Sequence, residues 1–351
     1  MTMRERLLAV LRGEKPDRVP FCQYDGTAAP NEEVWQVVGR DNMGFMRWVS
    51  AHRVEHPNCR FESKAIERGG LPGERITLHT PAGSITEEFY LEPTYNTASR
   101  HEHFIKTRED CFALIAYLKD LVILEDYDSL QKHIEDIGED GLVHCCVGRT
   151  PFQQLWVEWV SLTDLCCHLL DWPDVLEECI ALMARNQKRM FEIAAGSPAP
   201  YIDIGDNVTA PVIGENYYRK YCMPSYAELA DIVDGKNKPI FVHMDGDLRP
   251  LWDAIGESRI DGIDSFSPTP DNDTSVADAV RLWPHMRLFV NYPSSVHLRE
   301  PQAIYDTAMQ MLHEGGHTGR LVIGVFENVP PKVWRKSYPE IVRAIRDFGR
   351  P

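Results

Sequence analysis

The chain has 351 residues, 43% of them hydrophobic, and its 37 Lys and Arg against 53 Asp and Glu leave a formal charge of −16. That acidity, with no local basic cluster, excludes a nucleic-acid footprint, and no apolar run approaches the roughly 18 residues that span a bilayer. The length exceeds that of most single domains but suits an α/β barrel.

Residues 1–20, MTMRERLLAVLRGEKPDRVP, carry arginines among their apolar positions and no small-residue cleavage site. They predict an amphipathic helix rather than a signal peptide, and with it a cytoplasmic address. Leu7, Leu8, Val10 and Leu11 give the helical spacing, and Gly13 with Pro16 gives the stop. Residues 18–24 read as a first strand, 31–38 and 43–50 as helices, and 52–56 as a second strand. Nine cysteines with no CxxC pair are expected to be reduced and mostly buried.

Residues 75–90 alternate around Pro-Ala-Gly and predict a β-hairpin, TLHT against SITEEFY, inside an insertion at 60–105 of a single 1–351 domain. A helix follows at 107–119. From 142 onward, strand-like runs at 142–147, 201–204, 239–243, 260–266, 287–291 and 320–326 alternate with helical stretches, the last at about 332–348. With the two early strands this makes eight, the count of a (β/α)8 TIM barrel with an N-terminal helix and a β-hairpin insertion. A doubly wound sheet competes, but neither GxGxxG nor a Walker loop is present to favour it.

The stretch 238–247, KPIFVHMDGD, is the sharpest functional signal. Ile240, Phe241 and Val242 predict a buried parallel strand, and His243 and Asp245 stand two apart at its carboxyl end, where barrels place their chemistry. Such a pair can bind a metal, share a proton or hold a polar ligand. The other strand ends add Tyr24 and Asp25, His56, Cys146 and Arg149, Asp203, Asp206 and Asn207, Asp264 and Ser265, Asn291 and Tyr292, and Glu327 and Asn328. Any one of these is also a common helix cap or turn residue, so the set carries the reading rather than its members.

Several stretches resemble the uroporphyrinogen decarboxylase-like proteins: MRERLLAVLRGEKPDRVPF at the start, the hairpin TLHTPAGSITEEFY with HEHFIKTRED after it, GDN followed by NYYRKYCMPSY and KPIFVHMDGDL, and LVIGVFENVPPKVWRKSYPEIVRAIRDFG at the close. The resemblance runs over nearly the whole chain and implies a (β/α)8 barrel. The superfamily includes the decarboxylase, cobalamin-independent methionine synthase and zinc-dependent methyltransferases that serve corrinoid proteins. The decarboxylase carries an arginine-rich segment after its first strand and a GHG-like histidine near the end. Here QYDGTAAP and VFEN stand in those places, and an acidic rim would repel a polycarboxylate.

In the methyltransferases a His-x-Cys pair and a later Cys bind zinc. By that resemblance His243 matches the histidine, Asp245 stands at the first cysteine and Glu327 near the second, with Cys222 on the preceding helix as a further candidate ligand. Oxygen donors in place of thiolates still suit zinc and also suit other divalent metals. The resemblance implies a methyltransferase of the O-demethylase type, passing the methyl group of a methoxylated aromatic to a corrinoid (cobalamin) carried by a partner protein. Asp206 or Asp264 would supply or relay a proton. Tyr24, Asn207, Phe266 and Tyr292, with Phe326, would meet the substrate. The alternative is a metal-independent lyase or decarboxylase of the same fold, acting on a small carboxylated or aromatic compound through His243 and the carboxylates.

Overall fold

The computed structural model describes residues 1–92 and 97–351 and groups them into two compact units: Met1–Ala51, Tyr127–Val147 and Ala194–Pro351 form the first, and His52–Asp126 and Gly148–Ile193 the second. In chain order the strands are β1 (Phe21–Tyr24), β2 (Gly44–Val49), β3 (His52–Glu55), β4 (Arg60–Arg68), β5 (Leu71–Thr80), β6 (Gly83–Glu92), β7 (Thr97–Glu102), β8 (Val122–Glu125), β9 (Gly141–Cys146), β10 (Ile202–Ile204), β11 (Ile240–His243), β12 (Gly262–Phe266), β13 (Arg287–Asn291) and β14 (Leu321–Val325).

In the first unit, eight parallel strands close into a barrel in the order β1-β14-β13-β12-β11-β10-β9-β2, with helices following them in the (β/α)8 manner. The strands read as nearly unbroken apolar runs because parallel strands in such a barrel are covered on both faces. The inward residues Cys22, Met46, Leu142, Tyr201, Phe241, Phe289 and Val322 stack with Phe326 into one core, which the helix α1 (Met3–Arg12) joins through Met3, Leu7, Val10 and Leu11. Burying a side chain of this size stabilises by about 1.5–3 kcal/mol, so this packing seats α1 across the amino-terminal end of the strands. Thr2 and Glu5 form a capping box at its start, and Gly13, at φ 72°, closes it in the left-handed conformation. Gly324 leaves room for the Phe326 ring, since a Cβ there would lie 2.1 Å from the ring.

The second barrel strand departs from the sequence expectation. Residues 43–50, read as a helix, contain β2, which pairs in parallel with β1 and β9; residues 52–55 form β3, which pairs antiparallel with β8 in the second unit. Met43, Met46 and Val49 stand three apart and mimic a helical stripe, but two neighbouring strands decide the outcome. His56 accordingly leaves the set of barrel strand ends.

In the second unit the expected hairpin is present, Thr77 opposite Thr86 and Thr80 opposite Gly83, and it is the middle of a four-stranded antiparallel sheet, β4-β5-β6-β7. Helices Asp110–Asp120 and Leu162–Asp171 accompany it. Among the described residues, no helix is long and apolar enough to cross a membrane.

Candidate active site

β11 is the fifth barrel strand along the chain. Its alternation sends Phe241 into the core, and His243, two residues on, toward the carboxyl end of the same interior. The chain then turns through Asp245. Gly246 lets this turn press against the loop after β10: a Cβ there would stand 2.3 Å from the Thr209 Cβ, and the Gly246 N–H donates to the Val208 carbonyl at 3.3 Å. The Asn272 side-chain amide holds the Asp245 carbonyl at 2.8 Å.

His243 Nε2 faces two carboxylates, Asp245 Oδ2 at 3.6 Å and Glu327 Oε1 at 3.7 Å. A ligand atom from each of the three lies within 4.8 Å of the others. These separations exceed ordinary hydrogen bonds. Two ligands bonded at about 2.0–2.2 Å to a tetrahedral ion lie roughly 3.3–3.6 Å apart, so the donor set suits a divalent cation and a small inward movement of the carboxylates would close its spacing on one. Glu327 is steadied by the Ser265 hydroxyl, which donates to Oε1 at 3.1 Å. β12 makes that contact possible through an irregularity: its register against β13 shifts between Ile263 and Phe266, and Ser265 adopts φ 54°. Bulges of this kind re-aim side chains at barrel rims.

Behind His243 lies a second set of polar groups. His243 Nδ1 is 3.5 Å from Asp264 Oδ2, and the Tyr24 hydroxyl donates to that same oxygen. Asp264 is fully buried. Beside them, the Tyr201 hydroxyl meets His144 Nδ1 at 2.9 Å, and His144 Nε2 stands 3.8 Å from Asp203 Oδ2. Both Asp203 oxygens and His144 Nε2 are buried without a hydrogen-bond partner among the described residues. Trp48 packs edge-on against both His144 and His243, at 5.7 and 5.8 Å between ring centroids.

The electrostatics follow from burial and crowded carboxylates. Burial pulls the His243 pKa down, but the nearby carboxylates of Asp245 and Asp264 outweigh it and hold it well above the usual histidine value. Burial raises Glu327, reinforced by Asp245 and opposed by His243. Asp203 lies well above the carboxylate range because it is buried and faces the charge of Asp264. Burial takes His144 down to about 4. Burial therefore works against the charged forms of both Asp203 and His144.

Of the residues singled out in the sequence, the structure brings together His243, Asp245, Glu327, Asp264 and Tyr24. Asp206 is buried at the end of β10 and accepts from the Tyr226 hydroxyl at 2.7 Å, and Asn207 follows it, half-buried, in the loop. Cys222 is buried beside Tyr218 and Tyr226, outside the His243 cluster. Phe266 packs against Trp283 and Tyr292 donates to the Ile304 carbonyl at 2.7 Å, so both serve the helical layer rather than the barrel interior. His144, Tyr201 and Trp48 join the His243 group, with little in the local sequence to single them out. A lone histidine in the apolar run GLVHCC was the available signal for the first of them.

The chain belongs to the uroporphyrinogen decarboxylase (URO-D) family, whose model matches residues 161–348. Among solved structures it is similar to a methyltransferase from Methanosarcina mazei, at 16% identity and a TM-score of 0.60, over 99% of each chain. It is also similar to a B12-independent methionine synthase from Shewanella sp. W3-18-1, at 11% identity and a TM-score of 0.43, over 85% of this chain and 76% of that one. At 16% identity the likeness to the methyltransferase is one of fold. No curated protein matches the chain.

Proposed function

We propose that this barrel is a methyltransferase that moves a methyl group from a small methylated compound, a methoxylated aromatic, to a corrinoid protein, with a divalent metal held by His243, Asp245 and Glu327. The observation that carries the reading is the convergence of these three side chains at the carboxyl end of the barrel, at distances that suit metal ligation. A barrel-wide likeness to a methyltransferase supports it. An acidic mouth supports it against decarboxylation of a polycarboxylate.

In the reaction the methyl–oxygen bond breaks, its electron pair stays on oxygen, and the reduced cobalt of the partner's corrinoid accepts the methyl group. The metal, when bound, supplies Lewis acidity that neutralises the departing phenolate. The protein's own residues build the setting. Asp264 orients His243 so that Nε2 faces Asp245 and Glu327, and Tyr24 fixes Asp264 in turn. Ser265 sets the Glu327 carboxylate. Trp48 and Tyr24 offer aromatic faces beside the histidine.

The test is metal analysis of the purified protein alongside a spectrophotometric assay of cob(I)alamin consumption with a methoxyphenol. About one divalent ion per chain, lost in His243→Ala together with methyl transfer, is the expected result. A second reading, a metal-independent lyase, draws on one observation: carboxylates flank both ring nitrogens of His243, Asp264 at Nδ1 and Asp245 at Nε2, and favour its charged form, the form a general acid needs. Turnover by metal-free protein without a corrinoid acceptor selects it.

A further inference from the structure

At the amino-terminal end of the strands, opposite the site above, a cleft of about 920 Å³ lies between α1 and the segments leading into β11, β12 and β13. That volume is in the range of small-molecule pockets. Its floor is apolar: Leu8 and Leu11 of α1, with Val233, Ile240 and Ile260. Its wall is cationic, with Arg12, Lys238, Arg259 and Arg287 against Asp234 and Asp261. In a chain of net charge −16 such a wall is a local exception.

Two of the four cations are already answered. Arg259 pairs with Asp231, and Lys238 Nζ donates to the Ala194 and Ser197 carbonyls at 3.1 and 2.6 Å. Of the other two, one is unpaired and one only loosely paired. Arg12 is exposed and makes no ion pair or side-chain hydrogen bond among the described residues. Arg287 Nη1 reaches only to 3.7 Å from Asp261 Oδ1, and the other Asp261 oxygen is taken by the Ile240 N–H at 2.9 Å. Arg287 Nε is buried with no acceptor. The Arg287 guanidinium lies beside Gly13, next in the chain to Arg12, since a Cβ at Gly13 would be 3.9 Å from Nη2. Arg12 in the last turn of α1 complements the helix dipole, but that leaves the buried Nε of Arg287 unexplained. A part-exposed guanidinium held only by a long ion pair, an unpaired arginine nearby and an apolar floor are the parts of a site for an anion with an apolar body.

We propose that this cleft binds a small organic anion, a carboxylate or phosphate on an aromatic body, with Arg12 and Arg287 on the charged group and Leu8, Leu11 and Ile260 under the ring. The full-length protein is titrated by calorimetry with phenyl phosphate, benzoate, phenol and inorganic phosphate. The expected result is saturable binding of phenyl phosphate or benzoate, the tighter of the two identifying the anion. Phenol and inorganic phosphate bind at least about tenfold more weakly, because each lacks one half of the recognition. Arg12→Glu and Arg287→Gln each weaken binding by about tenfold or more, and His243→Ala leaves it unchanged. The proposal is overturned if neither aromatic anion binds, if phenol binds as well as its charged counterparts, if Arg12→Glu has no effect, or if His243→Ala abolishes binding. Arg12 is exposed at a helix end, so its variant tests the site even where Arg287→Gln unfolds the protein.

Discussion

His243 Nδ1 and Asp264 Oδ2 stand 3.5 Å apart, on the side of the ring opposite the nitrogen that faces Asp245 and Glu327. Asp264 is therefore a positioning residue for the proposed metal centre, and the Tyr24 hydroxyl on the same oxygen fixes it. Removing such a partner typically weakens a metal by about 10–100-fold. Asp264→Asn is expected to do so while keeping the far-ultraviolet circular dichroism of the parent. Competition with a chromophoric chelator measures it. Unchanged affinity would count against this role.

Asp245 sits where a thiolate would give a softer site. Asp245→Cys, loaded with Co(II), is expected to gain a near-ultraviolet thiolate-to-cobalt charge-transfer band that the parent protein lacks. If the band is missing although cobalt is bound, Asp245 does not ligate. This spectrum reports the ligand directly and does not depend on knowing the substrate.

Gly246 packs against Thr209 so closely that any side chain must displace one of the two loops. Gly246→Ala is expected to lower metal affinity and activity together, by about tenfold or more, with only a modest loss of thermal stability because the barrel core is untouched. Activity equal to that of the parent would show that the turn tolerates the shift.

His297 is buried in the helical layer, with Nδ1 2.6 Å from Ser337 Oγ, and burial lowers its pKa to about 4. The unfolded chain, with a histidine pKa near 6.5, takes up the proton first as pH falls. Stability from this group is fully present above pH 6.5, declines below it, and is fully lost below about pH 4. By pH 5 the loss is about 2 kcal/mol. His144 acts in the same direction. The fall in chemical-denaturation stability between pH 7 and 5 is expected to be smaller in His297→Asn than in the parent. An identical fall would remove His297 from the explanation.

The eight-strand count was legible because parallel barrel strands are short apolar runs separated by helices, and KPIFVHMDGD was legible because its polar residues interrupt such a run at a fixed offset. β2 was not, since its three-residue spacing is a helical one and only pairing with β1 and β9 makes it a strand. Tyr292 could have been assigned by parity, because it is out of phase with the inward Phe289. Phe266 could not. It shares the parity of Asp264, and only the irregularity at Ser265 turns it outward to Trp283. The Tyr201–His144–Asp203 group depends on the register of β9 with β10, which pairs Cys146 with Asp203 across more than fifty residues of chain and leaves no local trace.

α1 has a further consequence. By seating Met3, Leu7, Val10 and Leu11 beneath Cys22, Met46 and Leu142, it gives the barrel a floor. The buried polar groups around His243 and Asp203 are then closed off from the amino-terminal end of the strands. Whatever reaches these groups must arrive and leave at the carboxyl end of the strands, so one molecule has to depart before the next can take its place.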